Sequence, residues 1–129
     1  MLEMNYLAIV VAALAAFAVS FVWYSVFGAE LAKVSPAFAE QKPAPWKMLV
    51  ILGSSLVIAF VVSYVIGLAG DVSWVSAVGI GALLWLGLAA TQWVNSMVGE
   101  NVPFKMALIH AGDWLVKLVL IAFIVGVWR

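Results

Sequence analysis

FKMALIHAGDWLVKLVLIAFIVGVW, residues 104–128, decides how this chain is read. It is long enough to cross a bilayer, which takes about 20 apolar residues as a helix. It also carries His110, Asp113 and Lys117 within that length. Three similar apolar runs precede it, so the expected spans are 5–27, 45–68, 74–97 and 104–128. No segment shows the in–out alternation of a membrane β-strand. The fold class expected is therefore all-α: a single integral membrane four-helix bundle over residues 1–129, antiparallel and up-down, with short turns and one longer loop at 28–45.

Composition agrees. Of the 129 residues 67% are hydrophobic and 9% charged, whereas a soluble domain carries about 25% charged residues. Twelve charged side chains cannot clothe a soluble domain of this size, so lipid is the expected partner over much of the exterior. Six basic and six acidic residues leave a net charge of zero and no basic footprint for nucleic acid. Without cysteine, disulfide and thiolate chemistry are excluded. Ala37-Phe38-Ala39 has the form of a signal cleavage site, yet the start lacks a basic region and the apolar run is too long for a signal peptide. A retained helix is expected.

The breaks carry terminators. Gly28 and Gly70 suit the ends of the first and second helices, and Pro43 and Pro45 precede or open the second. Ser73 suits the cap of the third helix and Asn101 that of the fourth, with Pro103 in its first turn. Ser35-Pro36 can start a short helix over 37–42, its Phe38 on the membrane surface; an irregular linker is the alternative. Four crossings place both termini on one side. Lys33, Lys42, Lys47 and Lys105 flank spans on the other side against Arg129 alone, so the loop is expected in the cytoplasm and the termini outside.

Small residues recur every fourth position: Ala8, Ala12, Ala16 and Ser20; Ser55, Ala59, Ser63 and Gly67; Ala77 and Gly81; Ala122 and Gly126. Such stripes let helices approach closely in lipid. Contact inside one bundle is the first expectation and a homo-oligomer interface the second. Trp23, Tyr24, Trp46, Trp74 and Trp128 lie near span ends, as an interfacial belt would.

His110, Asp113 and Lys117 follow the i, i+3, i+7 spacing that puts side chains on one helix face. Lys117 lies too deep to reach the headgroups, and a charge at mid-bilayer is costly unless paired; Asp113, one turn earlier, is the expected partner. On the third helix Gly81, Trp85, Leu88, Gln92 and Asn95 form a matching stripe. A hairpin centred near residue 101 aligns Gln92 with His110 and Trp85 with Lys117, so Gln92 or Asn95 can bond the imidazole and Trp85 can meet the ammonium face-on. Ser20, Tyr24 and Ser25 approach the same side from the first helix. The expectation is a polar pocket in the loop-side half reaching Lys117, and a dry apolar half near the termini. Proton- or ion-coupled movement of a small solute is the leading function; a non-transporting scaffold, whose polar residues only specify packing, is the alternative. His110 and Asp113 alone make a poor metal site, no serine has a nucleophile context, and Gly79-Ile80-Gly81 is no phosphate loop. No enzyme activity, metal or cofactor is expected.

Asn5-Tyr6-Leu7-Ala8, Trp23-Tyr24-Ser25-Val26-Phe27-Gly28, Leu84-Trp85-Leu86-Gly87 and Leu108-Ile109-His110-Ala111-Gly112-Asp113-Trp114-Leu115 together resemble the bacterial membrane family catalogued as domain of unknown function 1761. The resemblance covers nearly the whole chain. It implies a four-helix protein of the bacterial inner membrane and implies no activity. It also implies a departure: members often carry Asn and Tyr where this chain has His110 and Asp113, so a polar hydrogen-bonding site, not the ionisable stripe, is the common element. Small multidrug exporters need an acidic residue within the first helix, and none lies between Glu3 and Glu30. Fluoride channels share the size but not the glycine-arginine signature.

Overall fold

A computed structural model describes residues 4–42, 44–70 and 72–129. Glu3 and Pro43, used above, lie outside those residues. Five helices follow one another: α1 (Tyr6–Val34), α2 (Pro36–Ala39), α3 (Pro45–Leu68), α4 (Trp74–Gly99) and α5 (Phe104–Val127). All but α2 are long and apolar enough to cross a membrane. The all-α four-helix bundle and the multi-pass membrane character read from the sequence both stand.

The helix ends follow local chemistry. Asn5 caps α1 by accepting from the Ala8 N–H at 3.0 Å, and Ser73 caps α4 by accepting from the Ser76 N–H at 3.2 Å. Pro45 stands in the first turn of α3, where its missing N–H costs nothing. Gly70, at φ +90°, turns the chain after α3, a backbone conformation that costs a Cβ-bearing residue dearly. Two expectations fail. α1 does not stop at Gly28 but continues to Val34, where Ser35 ends it and at once caps α2, accepting from the Phe38 N–H at 3.3 Å. At Gly28 a Cβ would meet the Phe38 ring at 3.6 Å, an ordinary contact, so neither a helix end nor a lack of space requires glycine there. Nor does Asn101 cap α5. It adopts φ +56° inside the turn, and Pro103 takes the cap position without a side-chain bond. Asparagine tolerates that left-handed region better than most residues, which explains its place in the turn.

α5 is the hub. It packs along α1 and α4 and more lightly on α3, while α1 also packs on α3. At the terminal end Asn5 donates to the Trp128 carbonyl at 3.3 Å, and at the loop end Lys105 pairs with Glu30; α1 and α5 therefore run antiparallel. The dry core gathers in the terminal half, where Ile9, Ala12, Ala16, Val62, Ile66, Ile121 and Val125 pack together. The alanine stripe of α1 and Ser55, Ala59 and Ser63 of α3 are buried within the chain, as expected for contact inside one bundle. A short turn does not hold α3 against α4, however: the two barely touch. A cleft of about 420 Å³ separates them, walled by Val57, Ile58, Val61, Leu84, Leu88 and Trp114. α4 is drawn to α5 instead, because small residues face each other there. A Cβ on Gly81 would lie 2.8 Å from the Leu118 carbonyl oxygen, and one on Gly126 2.6 Å from the Ala77 Cβ.

α4 contains one more irregularity. Residues Trp85–Ala90 form a π-helical segment, which fits an extra residue into the turn. Residues beyond it are rotated relative to a continuous α-helix.

The α4–α5 contact predicts that Gly81→Ala costs about 1–3 kcal/mol, the range for overpacking a filled interface. Gly79→Ala, which meets nothing within 4 Å, should be neutral or stabilising by up to about 1 kcal/mol, since glycine disfavours a helix interior. Reversible unfolding in detergent micelles measures both, and equal stabilities would deny the close contact.

Candidate functional site

Lys117 stands near the middle of α5, roughly 20 Å from Phe104 and about 15 Å from Val127 at a rise of about 1.5 Å per residue. Its ammonium lies 3.4 Å from Asp113 Oδ2, and the side chains are 12% and 4% exposed. The pairing expected from the one-turn spacing is present. Ser20 of α1 donates to Asp113 Oδ1 at 2.6 Å. A carboxylate held at both oxygens in a low-dielectric place is far less costly than a bare one.

Tyr24 is one helical turn beyond Ser20, so α1 sends both to the same face of α5. The Tyr24 hydroxyl stands 2.7 Å from His110 Nδ1 and 3.5 Å from Asp113 Oδ2. The second distance is at the outer limit of a hydrogen bond. A hydroxyl both donates and accepts: with Nδ1 protonated, the imidazole donates to the tyrosine and the tyrosine to the carboxylate. With Nε2 protonated, the tyrosine donates to Nδ1 instead. The imidazole is stacked on Trp93, with ring centres 4.8 Å apart and planes 10° from parallel.

Two indoles clamp this part of α5 from opposite sides. Trp23 of α1 donates to the Ile109 carbonyl at 2.9 Å, and Trp85 of α4 donates to the Ala111 carbonyl at 2.8 Å. Gly112 makes the first approach possible, since a Cβ there would come within 2.6 Å of the Trp23 ring. Trp23 is thus a structural member of the site, not merely part of an interfacial belt.

The structure redistributes the expected contributions of α4. Trp85 does not meet Lys117; the ammonium sits 4.3 Å from the ring centre of Trp114 on its own helix. Gln92 and Asn95 do not bond His110: both are exposed, and Gln92 lines the α3–α4 cleft. The π-helical turn is the reason. Its additional residue advances the inward face by one position, so Trp93 arrives where uninterrupted α periodicity would put Gln92. Trp93 went unrecognised for that reason, and nothing in Trp85–Ala90 marks a π turn by composition. Ser25 reaches the cavity but gives its proton to the Phe21 carbonyl at 2.7 Å.

Beside these groups lies a cavity of about 510 Å³ between α1, α3 and α5, in the loop-end half of the bundle. Ser20, Tyr24, Ser25, His110, Asp113 and Lys117 reach it, among apolar walls that include Phe17, Phe21, Met48 and Ile51. Phe38 of α2 lines it too, its ring 6.3 Å from that of Tyr24, so this side chain is turned into the protein and not onto the membrane surface. A second recess, along Ser54, Ser55 and Val57 of α3, also reaches Lys117.

These features define a class: a small multi-pass membrane protein with a charge pair buried in its last helix and a polar-edged cavity beside it. The chain matches the family described as "Protein of unknown function (DUF1761)" over residues 7–126, and it belongs to that family. No curated protein and no solved structure matches it.

Breaking a buried pair by removing one partner costs about 3–5 kcal/mol, whereas removing both together can be nearly neutral. Lys117→Met and Asp113→Asn should each lower stability by about 3 kcal/mol, and the double variant by much less than the two combined. A double-mutant cycle on unfolding in micelles tests this; additive losses would mean that the two side chains do not interact.

Proposed function

We propose that this protein moves a small solute or ion across a bacterial inner membrane, coupled to protons, through the cavity beside Asp113 and Lys117. One observation carries the reading: the Tyr24 hydroxyl lies between His110 Nδ1 and Asp113 Oδ2 at the edge of a cavity that reaches mid-span. An imidazole can both accept and release a proton, and a hydroxyl between imidazole and carboxylate is a route for one. Ionisable groups at this depth are costly to keep and mark ion or proton paths in membrane proteins. The packing supports an asymmetric path, with the cavity in the loop-end half and the dry core in the terminal half. With the loop in the cytoplasm, as the lysine distribution argues, this conformation faces inward. The reading assigns no catalysis, and Asp113, Lys117, His110, Tyr24 and Ser20 carry the site.

A second reading has its own support. Among the described residues no buried side-chain nitrogen or oxygen lacks a hydrogen-bond partner. A fully satisfied network is what a scaffold would use to hold helix register. The two readings separate in vesicles. Purified protein reconstituted with a pH-sensitive dye inside should dissipate an imposed pH gradient when its solute is present. Asp113→Asn should fall to the rate of empty vesicles, and Tyr24→Phe should be slowed while remaining folded. A wild type silent under every gradient and solute would favour the scaffold.

A further inference from the structure

The polar edge of the cavity offers different things to different ligands. Asp113 is 3% exposed; its Oδ1 accepts from Ser20, and its Oδ2 faces the Tyr24 hydroxyl and is ion-paired with Lys117. Lys117 has three N–H groups; the ammonium is ion-paired with Asp113 at 3.4 Å, and the Trp114 ring lies against it. The same ammonium lines both the 510 Å³ cavity and the recess along α3. The Ser25 hydroxyl is already given to a backbone carbonyl. What an incoming molecule meets is therefore a positively charged donor, with the carboxylate tucked behind it. A group that accepts hydrogen bonds is matched at once, whereas an amine must first displace Lys117. Tyr24, His110 and Gln41 add neutral polar groups, and Phe17, Phe21, Phe38, Met48 and Ile51 make the rest of the wall apolar. The volume lies within the range of roughly 300–1,000 Å³ usual for small-molecule pockets.

We infer that the site binds a carboxylate carried on an apolar chain, together with one proton. The inference rests on the proposed reading of this cavity as a solute site and names the solute's class. The proton follows from charge balance. Asp113 and Lys117 are neutral as a pair, and an anion alone would leave a net negative charge at hydrocarbon depth, which is costly. The groups facing Asp113 are Ser20 and Tyr24 from α1 and His110 and Lys117 from α5. On α3 the one charged side chain, Lys47, is in the first turn, and α4 has none. A proton taken up by the Asp113 carboxylate makes it neutral and frees Lys117 to pair with the incoming carboxylate. Uptake of acid and proton together is electrically silent.

Thermal unfolding in micelles, followed by tryptophan fluorescence, tests this with hexanoate, hexylamine and hexanol as probes. Hexanoate should raise the unfolding midpoint saturably, more so as the pH is lowered. Asp113→Asn leaves Lys117 without a counter-charge, so hexanoate should restore its midpoint, with an affinity at neutral pH at least about tenfold tighter than wild type (one tenfold step being 1.4 kcal/mol). The pH dependence should vanish in that variant and persist in His110→Gln. Lys117→Met should lose the response and Lys117→Arg keep it. If Asp113→Asn does not fold, the Lys117 pair decides alone. Palmitate beside hexanoate separates a membrane fatty acid from a soluble one, and either binding through Lys117 upholds the inference. Equal stabilisation by hexanol, preference for hexylamine, or hexanoate binding indifferent to Lys117→Met would overturn it. Because no gradient is involved, hexanoate binding without flux in vesicles would defeat transport alone, and flux without hexanoate binding would defeat this inference alone.

Discussion

Asp113 and Lys117 face each other at 3.4 Å, both largely withdrawn from the surface near the middle of α5. Much of the bundle is arranged to keep them together. Ser20 occupies the second carboxylate oxygen, Trp114 lies against the ammonium, and the Trp23 and Trp85 indoles hold α5 from either side just before the pair. Such pairs are poor sources of net stability, since desolvation offsets much of the attraction. They do penalise every alternative in which α5 rotates, because rotation would put a charge into lipid. The pair thus fixes which face of α5 looks at α1, and Glu30 with Lys105 and Asn5 with the Trp128 carbonyl set the same alignment at the two ends.

The two halves of the bundle have different characters for a simple reason of side-chain size. Near the termini, alanine and glycine on α1, α4 and α5 let backbones close on one another, and a compact core results. Toward the loop end, aromatic and polar side chains replace the small ones, and the helices stand apart. The space between them appears as the cavity beside Asp113 and as the cleft between α3 and α4. Trp114 lines both, so one indole stands between an apolar opening toward lipid and the polar edge of the site. Membership of an uncharacterised family adds a fold expectation but no chemistry, so the functional argument rests on these side chains.

The number of long apolar helices, the small-residue contacts and the Asp113–Lys117 pair were all determined by the sequence itself. Each depends on chain-local physics: apolar length, helical periodicity, and the cost of an unpaired charge in hydrocarbon. What α4 brings to His110 was decided only by tertiary structure. A π turn shifts the inward face, so Trp93 stacks on the imidazole while Gln92 and Asn95 face outward, and no residue type announces such a turn. The same holds for the run of α1 past Gly28, the separation of α3 from α4, and the placing of Tyr24 between His110 and Asp113. These depend on which faces meet across the bundle, a choice made jointly by residues far apart in the chain and therefore invisible to any reading of one helix at a time.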